Sequence, residues 1–326
     1  MSRMTSALTA APLPWIITLR RRNRIMSKQR IGYIGVGLMG HGAAKNMLQQ
    51  GHPLTIMGHR NRVPVDDLVA FGAREAKTPA AVARVSDVVF LCLPSTVEVE
   101  HAIYGEYGVL EGAAKGLIVV DSTTADPRST QRIGADLAKK GIRMADAPLG
   151  RTPKEAEAGK LSTFVGGDPE TVRELKPIIG CYADTIIEAG ELGAGHTLKL
   201  INNFIAIGTS GVIAEALATA TKLGVNLSKL YDVVSAGGGN SKMFQMMMPW
   251  VLDGDDSHLK GPLRIAAKDM RYYAKLAESA PATAFIAQAV NQTYQLANIQ
   301  GHGERFIPVL PGILAELNGC KIRDLD

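Results

Sequence analysis

The feature that most constrains this chain is a short apolar run, Ile31-Gly32-Tyr33-Ile34, leading straight into Gly35-Val36-Gly37-Leu38-Met39-Gly40. Glycines spaced G-x-G-x-x-G between a strand and a helix form a phosphate cradle. The first permits a tight turn, the second lets a pyrophosphate approach the backbone, and the third lets the helix pack on the strand. The helix start then offers unpaired N–H groups and a partial positive charge to an anion. A chain with 34 glycines produces such spacings by chance, so the context gives this one its weight. Ala43 to Gln50 continues at helical spacing and stops at Gly51, a natural C-terminal glycine. Gly35, Gly37, Leu38, Met39 and Gly40 are therefore the expected contacts of a dinucleotide's phosphates.

Further short apolar runs follow at Leu54 to Met57, Val88 to Leu93 and Leu117 to Val120, separated by polar helical stretches. Strands alternating with helices predict a parallel sheet covered on both faces, an α/β domain of the Rossmann type. After about residue 190 the pattern changes. His196 to Leu223 contains no proline and repeats apolar residues at 200, 201, 204, 205, 212, 213, 216, 217 and 220, which is helical periodicity. Gly208, Ser210 and Gly211 leave room there for another helix to approach. Leu227 to Val234, Pro262 to Glu278 and Ala282 to Leu296 also read as helices, while Phe244 and Met246 to Met248 read as core or interface packing. The expected organisation is a disordered or mis-assigned leader over 1–27, a dinucleotide-binding domain over 28–190, and an all-α substrate and dimerisation domain over 191–326.

Charge narrows the partners. Five of the 36 basic residues (Arg3, Arg20, Arg21, Arg22 and Arg24) lie in the acid-free leader, leaving 31 basic against 31 acidic residues in the body. A neutral body offers no basic stripe for a nucleic acid backbone. The run Ala11 to Leu19 is too short for a membrane span and has its arginines on the wrong side for a secretory signal. Cys92, Cys181 and Cys320 are far apart, and the seven histidines show no ligand spacing, so neither a disulfide framework nor a metal is expected. The reading is a cytoplasmic protein with reduced thiols.

The end of the second strand bears on cofactor choice. A site for NAD usually places an acid there to accept the ribose hydroxyls. Here Gly58 is followed by Arg60 and Arg62, with no acid before Asp66. Two arginines suit a 2′-phosphate, so NADP(H) is favoured and NAD(H) remains possible.

Lys199 and Asn203 stand four apart on the long helix and share a face, with Asn202 on the flank. A lysine can give a proton to the alkoxide formed when hydride reaches a carbonyl, and take it back in reverse. These segments, with Asp146-Ala-Pro-Leu-Gly150-Arg151, Gly193-Ala-Gly-His-Thr-Leu-Lys199 and Lys268-Asp269, resemble the β-hydroxyacid dehydrogenases, the group of 3-hydroxyisobutyrate dehydrogenase and tartronate semialdehyde reductase. The likeness runs from about Ile31 to Ile322. It implies Lys199 and Asn203 as catalytic residues, and Leu93, Pro94, Thr124 and Lys268 around the nicotinamide. It also implies Gly150, Arg151, Thr152, Asn202 and Lys268 around a small anionic aldehyde or hydroxy acid. Taken alone, Thr124 reads as a helix cap. Where most of the family has Ser-Gly-Gly, this chain has Gly150-Arg151-Thr152, similar to the sulfolactaldehyde reductase branch; Ala206 replaces the serine that branch carries. Arg151 is a fixed fork suited to an oxyanion, unless it merely pairs with Glu155 on the surface. An imine reductase or a non-catalytic binding module are the alternatives, and Lys199 argues against both. A homodimer or homotetramer through the helical domain is expected.

Overall fold

The computed structural model describes residues 28–58 and 60–325, so the leader reading of 1–27 lies outside the described residues. The first half alternates strands and helices: β1 (Ile31–Ile34), α1 (Gly40–Gln49), β2 (Leu54–Met57), α2 (Val63–Ala70), β3 (Arg74–Ala76), α3 (Pro79–Arg84) and β4 (Val88–Leu91). There follow α4 (Thr96–Tyr104), α5 (Val109–Gly112), β5 (Ile118–Asp121), α6 (Pro127–Ala138), β6 (Arg143–Asp146) and β7 (Leu149–Gly150). α7 (Pro153–Glu157), β8 (Leu161–Gly166), α8 (Pro169–Ile179) and β9 (Ala183–Gly190) complete it.

The strand order is β3-β2-β1-β4-β5-β6-β8-β7, with β9 on β8. From β3 to β6 every pair is parallel, and β1, β4 and β5 are buried along their whole length, as near-continuous apolar runs require. The sheet is not wholly parallel, which corrects the sequence expectation: β8 runs antiparallel to β6 and β7. Only α7 separates β7 from β8, too short a link for a parallel crossover. The chain leaves β1 for β2 and β3 on one side, then returns to β4 on the other. This reversal opens a crevice at the carboxyl ends of β1 and β4. Tyr33 stacks on Phe90 beneath it with ring centres 5.8 Å apart, and Tyr182 meets Phe90 edge-on.

The second half comprises α9 (Ala194–Lys222), α10 (Leu227–Ala236), α11 (Lys242–Asp253), α12 (Leu263–Ser279), α13 (Phe285–Ile299) and α14 (Leu310–Leu317). Its core joins Ile207, Ala214 and Leu217 of α9 to Phe244, Met247 and Met248 of α11 and to Met270, Tyr294 and Ile313. Met247 and Met248 of the methionine run are therefore core, and Met246 is half-buried. Ser210 bonds Tyr294 Oη at 2.7 Å and Gly211 abuts Val290, so the small residues of α9 do receive a neighbouring helix, α13. α9 is long and apolar enough to cross a membrane by length and composition alone, with mean hydropathy 1.5 in its best window. Half of that window is buried inside the fold, and α12, α13 and α14 pack on it, as on a core helix.

Candidate functional site

The glycine turn is built as a cradle. Gly35 has φ +103°, and a Cβ there would collide with the carbonyl of Cys92; one on Gly40 would collide with the carbonyl of Gly35. Gly37, by contrast, is exposed and has open space where its side chain would be. Met39 precedes α1 without offering a side-chain acceptor, and the first turn holds no acid. The His41 N–H is taken by the Gly37 carbonyl at 3.0 Å, which leaves the other N–H groups at the helix start to an anion, and these residues fit a dinucleotide pyrophosphate. Across the crevice Leu93 donates its N–H to Thr123 Oγ1 at 3.1 Å, and its side chain lies against Gly35.

At the end of β2 the two arginines differ. Arg60 is exposed and makes no ion pair with a described residue. Arg62 is not a free fork: it gives Nη1 and Nη2 to Glu75 at 2.7 and 3.0 Å and Nη2 to Asp66 at 2.8 Å. This corrects the expectation of two open arginines. Sequence reading searched only the residues after Gly58, whereas Glu75 arrives from β3, which pairs with β2. The signal available was the edge strand's own register, Ile56 opposite Glu75.

The long helix α9 carries Lys199 into the crevice between the two halves. Its start is fixed by Asp146, at the end of β6, which accepts the N–H groups of Gly193 and His196 at 2.7 Å each. The His196 ring bonds Thr130 Oγ1 at 2.8 Å and lies 3.9 Å from both the Asp121 and Asp146 carboxylates. One turn on, Lys199 is 9% exposed. Burial lowers its pKa below the ordinary lysine value; the Asp269 carboxylate opposes that shift and the Lys268 ammonium adds to it.

Asp269 is the residue that sequence reading left without a role. It is buried, accepts Asn203 Nδ2 at 2.7 Å, and lies 3.1 Å from Lys268 Nζ. Beyond that ion pair, its Oδ1 takes no hydrogen bond from any of the described residues. Two ammonium groups and one carboxylate thus share one buried pocket. Lys268 in turn donates to the carbonyls of Pro94 at 2.9 Å and Thr124 at 2.8 Å, tying α12 to the loops after β4 and β5. The structure therefore brings together Lys199, Asn203, Lys268, Pro94 and Thr124. Thr124 is not a helix cap: Asp126 caps α6, accepting Arg128 N at 3.0 Å. Asn202 is exposed beside Asn203, and Ala206 is half-buried further along α9.

The substrate loop is engaged elsewhere. Arg151 has φ +73°, an uncommon backbone for a side chain of this size. Its guanidinium bonds the Lys160 carbonyl just before β8, and Asp184 at 2.9 Å and Thr185 Oγ1 at 2.9 Å on β9. It does not pair with Glu155, whose carboxylate binds the N–H of Thr152 at 3.1 Å and the Thr152 hydroxyl. Gly150 sits in β7 opposite Ser162.

Known proteins agree with this architecture. The family model for the NAD binding domain of 6-phosphogluconate dehydrogenase matches residues 30–190. The one described as NAD-binding of NADP-dependent 3-hydroxyisobutyrate dehydrogenase matches 193–306. The 3-sulfolactaldehyde reductase of Escherichia coli K12 is 33% identical over 276 residues, 84% of this chain and 92% of its own length. Mitochondrial 3-hydroxyisobutyrate dehydrogenase of Bos taurus is 29% identical over 86% of this chain and 84% of its own. The crystal structure of a 3-hydroxyisobutyrate dehydrogenase from Salmonella typhimurium has a TM-score of 0.79 at 27% identity, covering 88% of this chain and 100% of that one. With cradle, crevice and lysine in matching halves, the chain belongs to the β-hydroxyacid dehydrogenase family, in the 3-hydroxyisobutyrate dehydrogenase group, and is an NAD(P)-dependent oxidoreductase.

Proposed function

We propose that the protein interconverts a small anionic semialdehyde and its 3-hydroxy acid, with Lys199 as the general acid and base. The observation that carries this reading is the cluster of buried Lys199, Lys268 and Asp269 with half-buried Asn203 in the crevice. When bound, the nicotinamide supplies or accepts the hydride. Lys199 gives its proton to the carbonyl oxygen during reduction and removes it from the hydroxyl during oxidation; its lowered pKa suits both directions. Asn203, its amide fixed by Asp269, orients the reacting oxygen. Lys268 acts through Pro94 and Thr124, holding the nicotinamide end of the crevice. The surplus positive charge in the pocket favours an anionic substrate.

NADP(H) is the favoured dinucleotide, now on Arg60 and on β2's own end supplying no acid, rather than on a free Arg62. Gly150, Arg151, Thr152 and Asn202 contact the substrate's acid group, for which Arg151 must leave Asp184. The division at 190/191, a cytoplasmic setting and a homo-oligomer built on the helical half complete the reading. The experiment is NADPH consumption against short aldehydes bearing a carboxylate, a sulfonate or no charge, for wild type, Lys199→Ala and Arg151→Lys. Lys199→Ala should lower kcat by at least ~10², the scale of a lost general acid–base, with cofactor binding kept. Arg151→Lys should raise KM for the charged aldehydes alone, since the fork's geometry goes while its charge stays. Near-normal turnover without Lys199 removes the mechanism, and equal Arg151→Lys losses on all aldehydes reduce Arg151 to a loop support.

A further inference from the structure

The end of β2 carries a carboxylate that β2 does not supply. Glu75 reaches across from β3, and a Cβ built on Gly58 would fall on its Oε1. The acid that a site for NAD places on its own strand end is thus delivered here from the neighbouring strand, into the space that Gly58 leaves empty. Glu75 binds Arg62 as a two-point fork, and Asp66 takes a further bond from the same guanidinium. The Arg62 guanidinium holds the Glu75 carboxyl below its ordinary range, so the group is ionised at neutral pH. Counting Arg62, Asp66 and Glu75 together, this ion-paired group carries one net negative charge, and Arg60 beside it makes no ion pair with a described residue.

We propose that Glu75 is a selectivity-determining residue: it holds the Arg62 fork closed and sets a negative charge beside the place of a 2′-phosphate. The inference rests on the dinucleotide reading of the crevice. Glu75 limits the discrimination that Arg60 and Arg62 would otherwise give, because a 2′-phosphate must approach a carboxylate and compete with it for the fork. A ribose carrying only hydroxyls meets no such repulsion. Removing the charge while keeping an acceptor for Arg62 should therefore strengthen binding of the phosphorylated ribose selectively.

The test is calorimetric titration of 2′,5′-ADP and of 5′-AMP, the two adenosine ends without nicotinamide, into wild type, Glu75→Gln and Asp66→Asn. For Glu75→Gln, 2′,5′-ADP should tighten by at least about fivefold and 5′-AMP change by less than about twofold, the scale of an exposed ion pair plus a released fork. The ratio of kcat/KM for NADPH over NADH should move the same way. Asp66→Asn, which leaves the charge over Gly58, should give a clearly smaller gain. Unchanged or weaker 2′,5′-ADP binding, a parallel shift of both nucleotides, or an equal gain from Asp66→Asn overturns the role of Glu75. Wild-type preference is a separate readout. If wild type favours NADH, the NADP(H) reading falls, while the direction of the Glu75→Gln shift still decides this inference.

Discussion

A lysine among apolar helix residues ordinarily extends its ammonium to solvent; Lys199 instead is buried beside another ammonium and one carboxylate. Burial favours the neutral amine, so the lysine titrates below its ordinary value. The consequence has a sign in each direction. With Lys199 as the proposed general acid and base, oxidation of the hydroxy acid needs the neutral amine, so kcat/KM should rise with pH and level off below the usual lysine range. Reduction needs the ammonium, so its kcat/KM should fall through that same inflection. Asp269 pulls the other way by stabilising the charged form. Asp269→Asn should therefore move the inflection to lower pH, besides loosening Asn203. Profiles of both directions on wild type and Asp269→Asn check this; an inflection that stays put would confine Asp269 to packing.

At the level of elements, α9 is held by a carboxylate from another part of the chain. Gly193 supplies no side-chain cap and the first turn holds no acid, so Asp146 takes that place from β6. Its negative charge also sits favourably at the positive end of the helix. Asp146→Ala leaves two buried N–H groups unbonded and should cost about 2–4 kcal/mol in denaturant unfolding. It should also reduce kcat, because Lys199 lies one turn beyond the anchored end. An unfolding midpoint equal to wild type would deny Asp146 this role. Its position in Asp146-Ala-Pro-Leu had suggested only the start of a substrate segment. That difference marks what was legible. Local patterns revealed β1, β2, β4 and the helical spacing of α9, because their periodicity lies within one stretch of chain. What joined distant stretches was not legible: Glu75 over Gly58, Asp269 on Asn203, Asp146 under α9. α11 escaped a helical reading because Pro249 interrupts it, and β7, of two residues, is too short to leave a pattern.

For the whole molecule, the outer face of the helical half is the feature that a single chain leaves unexplained. Ile205 and Val212 of α9 are 64% and 63% exposed, and Phe285 and Ile286 at the start of α13 are 83% and 63% exposed. Ile205, Val212 and Ile286, with Phe204, Gly208 and Thr209, form a shallow apolar groove along a helix whose other side is core, and Phe285 stands beside Ile286 in sequence. Isolated exposed apolar side chains need no explanation, but a contiguous patch of them marks an interaction surface. A second copy of the chain is the occupant expected from the homo-oligomer reading, and a two-fold arrangement would set α9 against its counterpart. Charging this face tests it with little harm to the fold, since none of the replaced groups reaches the core. Ile205→Lys with Val212→Lys should reduce the mass seen in light scattering to that of one chain, 34.7 kDa, with helical content unchanged. The long helix also carries Lys199, so loss of the partner should be felt at the site. We expect kcat to fall in the separated chain, while the Kd for NADPH, set chiefly by the glycine cradle of the other half and by Lys268, which lies away from this face, stays the same. Wild type already running at the mass of one chain would remove the oligomer reading. Full activity in a separated chain would show that α9 holds its position by the contacts with α12, α13 and α14 alone.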